Sequence, residues 1–472
     1  MRIVEAAANR RLNRVLIDGA QAFNRHGTGI AYYGRTLAKT VHELGAEIVL
    51  LLGREARSRK HDPAIVFASQ IFGGGSNRSL LERFIRAAMT ASAAYLPSGL
   101  RLDAQRVDTH GIDLKTFDPP LPAADHFLNA DAVYARASFA CGARCRLTEV
   151  RVPDPIDIAH WTGPLPAKVR SVPNIYTIHD LVPLQYPHFV LDQGGRSARI
   201  HAAIAREADL IVTVSEFSKQ AIVDILDVSP DRVAVTYQPV PPLLSLSWED
   251  AARIVRDTFG VKAKQYSLFI GAIEPKKNVR RMIEAHLLAS IEFPLLLVGP
   301  LGWMFEDDQK LIQTINLNRR NGGVQQNGGV QHLGYLPRRL LSALLQCARY
   351  LVFPSICEGF GLPVLEAMQA GVPVVTSNTT SLPEIAGDAA VLVDPLDVND
   401  IARGIRLLAN NEGLRQDLSD RGRVQASRFS EGVYMQRLRE AYAKVGVRFE
   451  NRASDDLDEP VGRANVSWKP AP

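Results

Sequence analysis

Short unbroken apolar runs alternate along this chain with longer stretches in which apolar residues return at helical spacing. The runs at 15–18, 47–52, 174–178, 210–214, 266–271, 294–298, 350–354 and 372–376 have the length and continuity of buried strands. Between them, 30–44, 216–226 and 279–289 read as helices, the first ended by Gly45 and the second capped by Ser215. A further helix opens at Pro363, since proline suits the first helical position, and Gly371 ends it. Strand and helix in repeated succession predict an α/β architecture. Pro239-Val-Pro-Pro242 divides it into two halves, as proline-rich linkers do. The stretch 54–170 carries fewer signals, chiefly the breaker Gly73-Gly-Gly75 and a helical period over 78–96.

Ligands of open α/β sheets bind outside the carboxyl ends of the strands, which singles out four loops. The loop Asn24-Arg-His-Gly-Thr-Gly29 follows the first strand, and Gly27 and Gly29 are either ligand-facing or a simple turn. His179-Asp180 ends the strand 174–178, and His160 in Ile158-Ala-His-Trp is a second candidate. Lys276 and Lys277 stand just before a helix N-terminus, where the macrodipole disfavours cations, so an anion is expected there. In Glu358-Gly-Phe-Gly-Leu-Pro-Val-Leu-Glu366, Glu358 precedes a tight turn and Glu366 falls in the first helical turn. Two such carboxylates can grip two ends of one ligand, with the N–H groups of Gly361, Leu362 and Val364 facing a phosphate. Two solvated glutamates on a βα unit are the plain alternative.

That segment, read as E-G-F-G-L-P-x-x-E-A-M-x-x-G-x-P-V, resembles the signature of the retaining nucleotide-sugar glycosyltransferases of family 4. The likeness continues through Leu382-Pro-Glu-Ile-Ala-Gly-Asp-Ala-Ala390 and Val393-Asp-Pro395, and upstream through Gly271-Ala-Ile-Glu-Pro-Lys-Lys-Asn278 and the I-H-D-L-V-P context of His179. The resemblance implies a GT-B fold: two Rossmann-like doubly wound domains facing across a cleft. They are an acceptor-binding domain at 14–245 and a nucleotide-sugar domain at 262–431, with a helix at about 432–447 packing back on the first; the polar composition of 448–472, with Asp455-Asp-Leu-Asp-Glu459, separately predicts a disordered tail. The resemblance further implies His179, Glu358 and Lys277 as catalytic residues. Lys276, Lys277, Gly359, Phe360, Gly361, Leu362, Glu366 and Gly29 would hold the donor, Glu366 at the ribose and Glu358 at the sugar hydroxyls. Ala272 stands where many members have arginine, which leaves the role of Lys276 open. Neither metal nor other cofactor is implied, and retention without a nucleophilic carboxylate implies front-face attack. The segments around His179 and Lys276 are most similar to those of bacterial polysaccharide mannosyltransferases. GDP-mannose would then be the donor and a glycan or lipid-linked saccharide the acceptor. A UDP-sugar donor, or nucleotide-sugar binding without catalysis, stays open.

Composition narrows the setting. At 472 residues, 46% apolar and 22% charged, the chain has ordinary globular usage and length for two or three domains. A net charge of +5 suits an anionic ligand or membrane face, and no nucleic-acid partner is expected. Four cysteines are too few for a disulfide framework and read as reduced thiols of a cytoplasmic protein. No apolar stretch follows the arginines of 1–14, so no signal peptide is expected, and no run approaches the ~20 residues of a membrane span. Arg78, Arg83 and Arg86 flank an apolar face of the 78–96 segment, which is either a helix lying on an anionic membrane or a crossover helix. The tandem Asn-Gly-Gly-Val-Gln of 321–331 reads as a duplicated surface loop.

Overall fold

The structure, a computed structural model, describes residues 10–20, 29–53, 101–109, 122–189, 195–320 and 328–449. The basic helix at 78–96, Gly27, most of the duplicated loop and the tail from 450 lie outside these residues.

In the first half the strands are β1 (Arg14–Asp18), β2 (Glu47–Leu52), β3 (Gln105–Arg106), β4 (His126–Asn129), β5 (Ile158–Trp161), β6 (Asn174–Thr177), β7 (Leu210–Thr213) and β8 (Val233–Val235). They form one sheet ordered β8-β7-β6-β5-β1-β2-β4-β3, parallel throughout except where β3 meets β4. The second half contributes β9 (Ser267–Ile270), β10 (Leu295–Val298), β11 (Val330–Gly334), β12 (Tyr350–Phe353), β13 (Val374–Ser377) and β14 (Val391–Val393). Its sheet is all parallel and ordered β11-β10-β9-β12-β13-β14, the doubly wound order in which the third strand leads and the first sits beside the fourth. Both faces of such a sheet are covered, which is why Leu295–Val298 and Tyr350–Phe353 are buried at every position and read as continuous apolar runs.

The helices Gly29–Glu43, Glu216–Leu226 and Val279–Ala289 fall within a residue of their sequence-based bounds. The stretch read poorly from sequence holds a separate parallel sheet of three strands, Arg101–Asp103, Thr148–Arg151 and Ala167–Val169. The helix Glu431–Ala443 returns to the first half, where Lys39 pairs with Glu431 at 2.6 Å and Tyr442 bonds His160. Each sheet reverses its winding once, between β1 and β5 and between β9 and β12, and each reversal opens a crevice at the carboxyl ends of those strands. The candidate residues collect at these two crevices.

Candidate active site

In the second half, β9 runs into the turn Pro275–Lys277, and Asn278 follows in the left-handed conformation (φ 59°) to start the helix Val279–Ala289. The buried Asn278 amide donates to the carbonyls of Pro354 (3.0 Å) and Pro395 (2.6 Å), stapling the lysine turn to the exit of β12. The turn therefore faces the segment that begins at Glu358. Lys277 Nζ lies 2.5 Å from Glu358 Oε1 and 5.1 Å from the centre of the Phe353 ring, with only 14% and 10% of the two charged side chains exposed. Burial pushes the Glu358 carboxyl upward, but Lys277 and Lys276 outweigh it and hold the group below the usual carboxylate range. Burial likewise opposes the charge of Lys276, and Glu358, Glu274 and Asp180 more than restore it. Lys276 Nζ is 3.5 Å from Glu274. The cations at this helix start are thus matched by carboxylates of the protein itself, so the sequence pattern alone does not demand an external anion.

The glycine turn is held from below by Ser381, whose hydroxyl lies 2.9 Å from the Glu358 carbonyl and 2.8 Å from that of Phe360. Gly361 has φ 118°, and a side chain there would meet Leu382 at 2.7 Å. The Phe360 ring is packed against Phe429 and Tyr237, so only its backbone can reach a ligand. Two sequence expectations are corrected. The Val364 N–H donates to the Gly361 carbonyl at 3.0 Å and is not open. The helix begins at Leu362, one residue earlier than expected, which makes Glu366 its fifth residue and moves it just past the first turn. Glu366 is half-buried, and burial, opposed by Arg338, pushes its carboxyl up to about 7.

The two halves meet at the same loop. A Cβ on Gly359 would lie 2.7 Å from Asp180 Cβ and 2.8 Å from the His179 carbonyl, so glycine is required for this approach. Ser215 donates to the Gly359 carbonyl at 2.7 Å, and Ser218 donates to that of His179 at 3.0 Å. Glu384, from the second half, accepts the N–H groups of Glu216 (2.9 Å) and Phe217 (3.2 Å), so a carboxylate of one half caps a helix of the other. Gly29, first residue of its helix, faces Leu362, first residue of the other; a Cβ added at Gly29 would lie 3.7 Å from Leu362 Cδ1. Two helix N-termini, each a positive dipole end, therefore converge on the cleft.

His179 leaves β6 at its carboxyl end, and its Nε2 is 3.0 Å from the Thr162 carbonyl. A carbonyl only accepts, so Nε2 carries the hydrogen. Burial keeps the ring neutral, and Nδ1 is left as an acceptor for a hydroxyl. Tyr33 stands edge-on to the ring, 4.8 Å between centres. His160 is different. It is fully buried inside β5, with Nδ1 2.8 Å from Tyr442 Oη and Nε2 3.0 Å from Thr177 Oγ1, and burial pushes it down to about 3. Both nitrogens are occupied within the core, so this second candidate is structural.

Two family models match the chain, "Glycosyl transferases group 1" over 253–425 and "Glycosyltransferase Family 4" over 101–242. The chain carries a glycosyl transferases group 1 domain and a glycosyltransferase family 4 domain. Among its relatives, O-antigen chain mannosyltransferase B of Escherichia coli is 38% identical over 234 residues, covering 47% of this chain and 57% of that protein. The serotype-specific mannosyltransferase WbdA of Escherichia coli is 28% identical over 279 residues, 57% of this chain but 33% of its own length. The chain thus spans about half or less of the curated relatives it matches first. Anabaena HepE, solved with UDP and glucose, superposes over 91% of this chain and 99% of its own at a TM-score of 0.57 and 15% identity, which places the fold as GT-B.

Within this fold Lys276, Lys277, Glu358, Gly359 and His179 come together at the meeting of the halves, with Gly29 against Leu362 at the same junction. Among the described residues, no three His, Cys, Asp or Glu are grouped to hold a metal ion, and no helix is long and apolar enough to cross a membrane. Sequence reasoning missed Asn278, Glu384 and Asp18. Asp18 ends β1 at the first crevice with 2% of its surface exposed. An acidic residue closing an apolar strand at the carboxyl edge of a sheet was the signal available for it.

Proposed function

We propose that the protein is a retaining hexosyltransferase that moves mannose from GDP-mannose to a glycan or lipid-linked saccharide in surface polysaccharide biosynthesis. The observation that carries the reading is the buried Lys277–Glu358 pair, set beside His179 and between two helix N-termini. A donor diphosphate lying there would draw Lys277 and Lys276 and the positive dipole ends of both helices. Charge that develops on the leaving nucleoside diphosphate is thereby met by groups already in place, the strongest stabilisation such a site can offer. Glu358, with Lys277 engaged by phosphate, is free to accept sugar hydroxyls. His179 Nδ1 accepts one more, and Glu366 takes the ribose. With Glu358 given to the sugar hydroxyls, the reading has the acceptor attack on the face the leaving group departs, giving its proton to the departing phosphate oxygen. Lys276 stands in for the arginine absent at Ala272. The work is done by these cations without a divalent ion, at the cytoplasmic face of a membrane.

The mannose assignment is supported by relatives named as mannosyltransferases; a UDP-sugar donor is the second reading, since Anabaena HepE was solved with UDP. Transfer from GDP-mannose, UDP-glucose and ADP-glucose to a mannosylated acceptor, with chelator present and the product anomer read by NMR, separates them. Only GDP-mannose should give an α-linked product, and His179→Ala should lower kcat by ~10²-fold with donor Kd little changed. Donor binding without transfer would leave a nucleotide-sugar sensor, and activity lost to chelator would end the metal-free reading.

A further inference from the structure

We propose that Asp18 is a positioning residue for His179, acting through Thr162. The inference rests on the reading of His179 as a sugar contact and adds what holds it. Asp18 is buried at the switch point of the first sheet, and among the described residues no cation pairs with it. Its oxygens are spent on backbone and hydroxyl donors instead. Oδ2 accepts the Thr162 N–H, and Oδ1 accepts the Thr162 hydroxyl and the Ala20 N–H, each at 3.1 Å. Thr162 is thus gripped at both its amide and its side chain. Its carbonyl then takes the Nε2 hydrogen of His179 at 3.0 Å.

The consequence is a defined ring. Because the Thr162 carbonyl can only accept, the hydrogen must stay on Nε2, and the tautomer that leaves Nδ1 as acceptor is selected. Tyr33 adds the orthogonal restraint, edge-on to the ring with its hydroxyl 2.9 Å from Thr177. A neutral side chain could cap the same two N–H groups without the cost of burying a carboxylate. Burial does push Asp18 up to about 6, the mark of a carboxylate kept without a counter-charge. Such unfavourable choices collect where function demands them. The same carboxylate also holds the Ala20 N–H just past the end of β1.

The test is a double-mutant cycle with a readout independent of the donor. Asp18→Asn should lower kcat at least tenfold with donor Kd within twofold, and should add nothing further in a His179→Ala background. Multiplying losses in the double variant, or full kcat in Asp18→Asn, overturn the proposal. In ¹⁵N-histidine spectra, the His179 signal is assigned by its disappearance in His179→Ala. It should show hydrogen on Nε2 in the wild type and a tautomer mixture in Asp18→Asn. An unchanged ring in Asp18→Asn refutes the relay even if GDP-mannose proves the wrong donor, whereas full activity of His179→Ala refutes only the role assigned to that histidine. Should Asp18→Asn fail to fold, Thr162→Val removes the hydroxyl grip alone, and the same ring signal decides.

Discussion

Replacing Lys277 by methionine tests the centre of the site. The substitution keeps the stem that packs on Phe353 and deletes the ammonium 2.5 Å from Glu358. Glu358 is then a carboxylate with 10% of its side chain exposed and no direct cation. Breaking a buried pair from one side costs ~3–5 kcal/mol, because the remaining charge has lost its partner. Lys276 still attracts the carboxylate, which argues for the lower end of that range. About 3 kcal/mol in a domain of this size is ~6–12 °C in melting temperature. Lys277→Met with Glu358→Gln removes both charges, and the melt should recover most of the loss, while both variants bind donor poorly. The pH dependence has a determined sign. Glu358 titrates below its ordinary 4.5 in the folded protein, so its stabilising contribution is full above that value and is lost as pH falls below it. Lys277→Met should lack that acid-side loss. Thermal melts across pH, with nucleotide-sugar calorimetry beside them, read all of this. A double variant that melts no higher than Lys277→Met would refute the reasoning, since the penalty would then owe nothing to an abandoned charge.

Two further outcomes follow from carboxylates that burial holds high. Glu366 titrates at about 7, and if its ionised form accepts the ribose hydroxyls, donor affinity should drop about tenfold for each pH unit below that value, with Glu366→Gln flat; calorimetry with a nucleotide sugar checks it, and equal pH profiles for the two proteins would remove Glu366 from the site. Glu384→Ala leaves the amides of Glu216 and Phe217 uncapped and should loosen the meeting of the halves at a cost of ~1.5–3 kcal/mol per charged hydrogen bond, seen as a larger radius of gyration in solution scattering without nucleotide. Identical scattering curves would show that the contact does not hold the cleft.

What the sequence made legible was local. Continuous apolar runs marked the buried parallel strands because both faces of each sheet are covered, and Ser215 announced its helix because an N-cap hydroxyl acts on a neighbour three residues away. The glycine turn and its two glutamates were legible as a family pattern, although the start of the helix one residue before Pro363 moved Glu366 and consumed the Val364 amide. The helix-dipole argument for the lysines did not reach their tertiary partner. Helix-dipole rules see only the helix, and here Glu358, some eighty residues downstream, supplies the anion.

The remaining errors share a cause, which is that the decisive partners are remote in sequence. Asp18 grips Thr162 across 144 residues and Glu384 caps Glu216 across 168, so neither role has a local signature. Yet strand register could have separated the two histidines. His160 is the third residue of a four-residue strand buried at every position, so its ring had to enter a covered face and find partners there. His179 lies two residues beyond the end of the neighbouring strand, where the sheet stops covering side chains and its crevice begins. Since Ile175 stands opposite His160 in the parallel ladder, the two rings sit at different depths of one sheet, one below the crevice floor and one at its rim. A candidate side chain in a doubly wound fold is therefore better judged by its distance past the strand end than by its residue type.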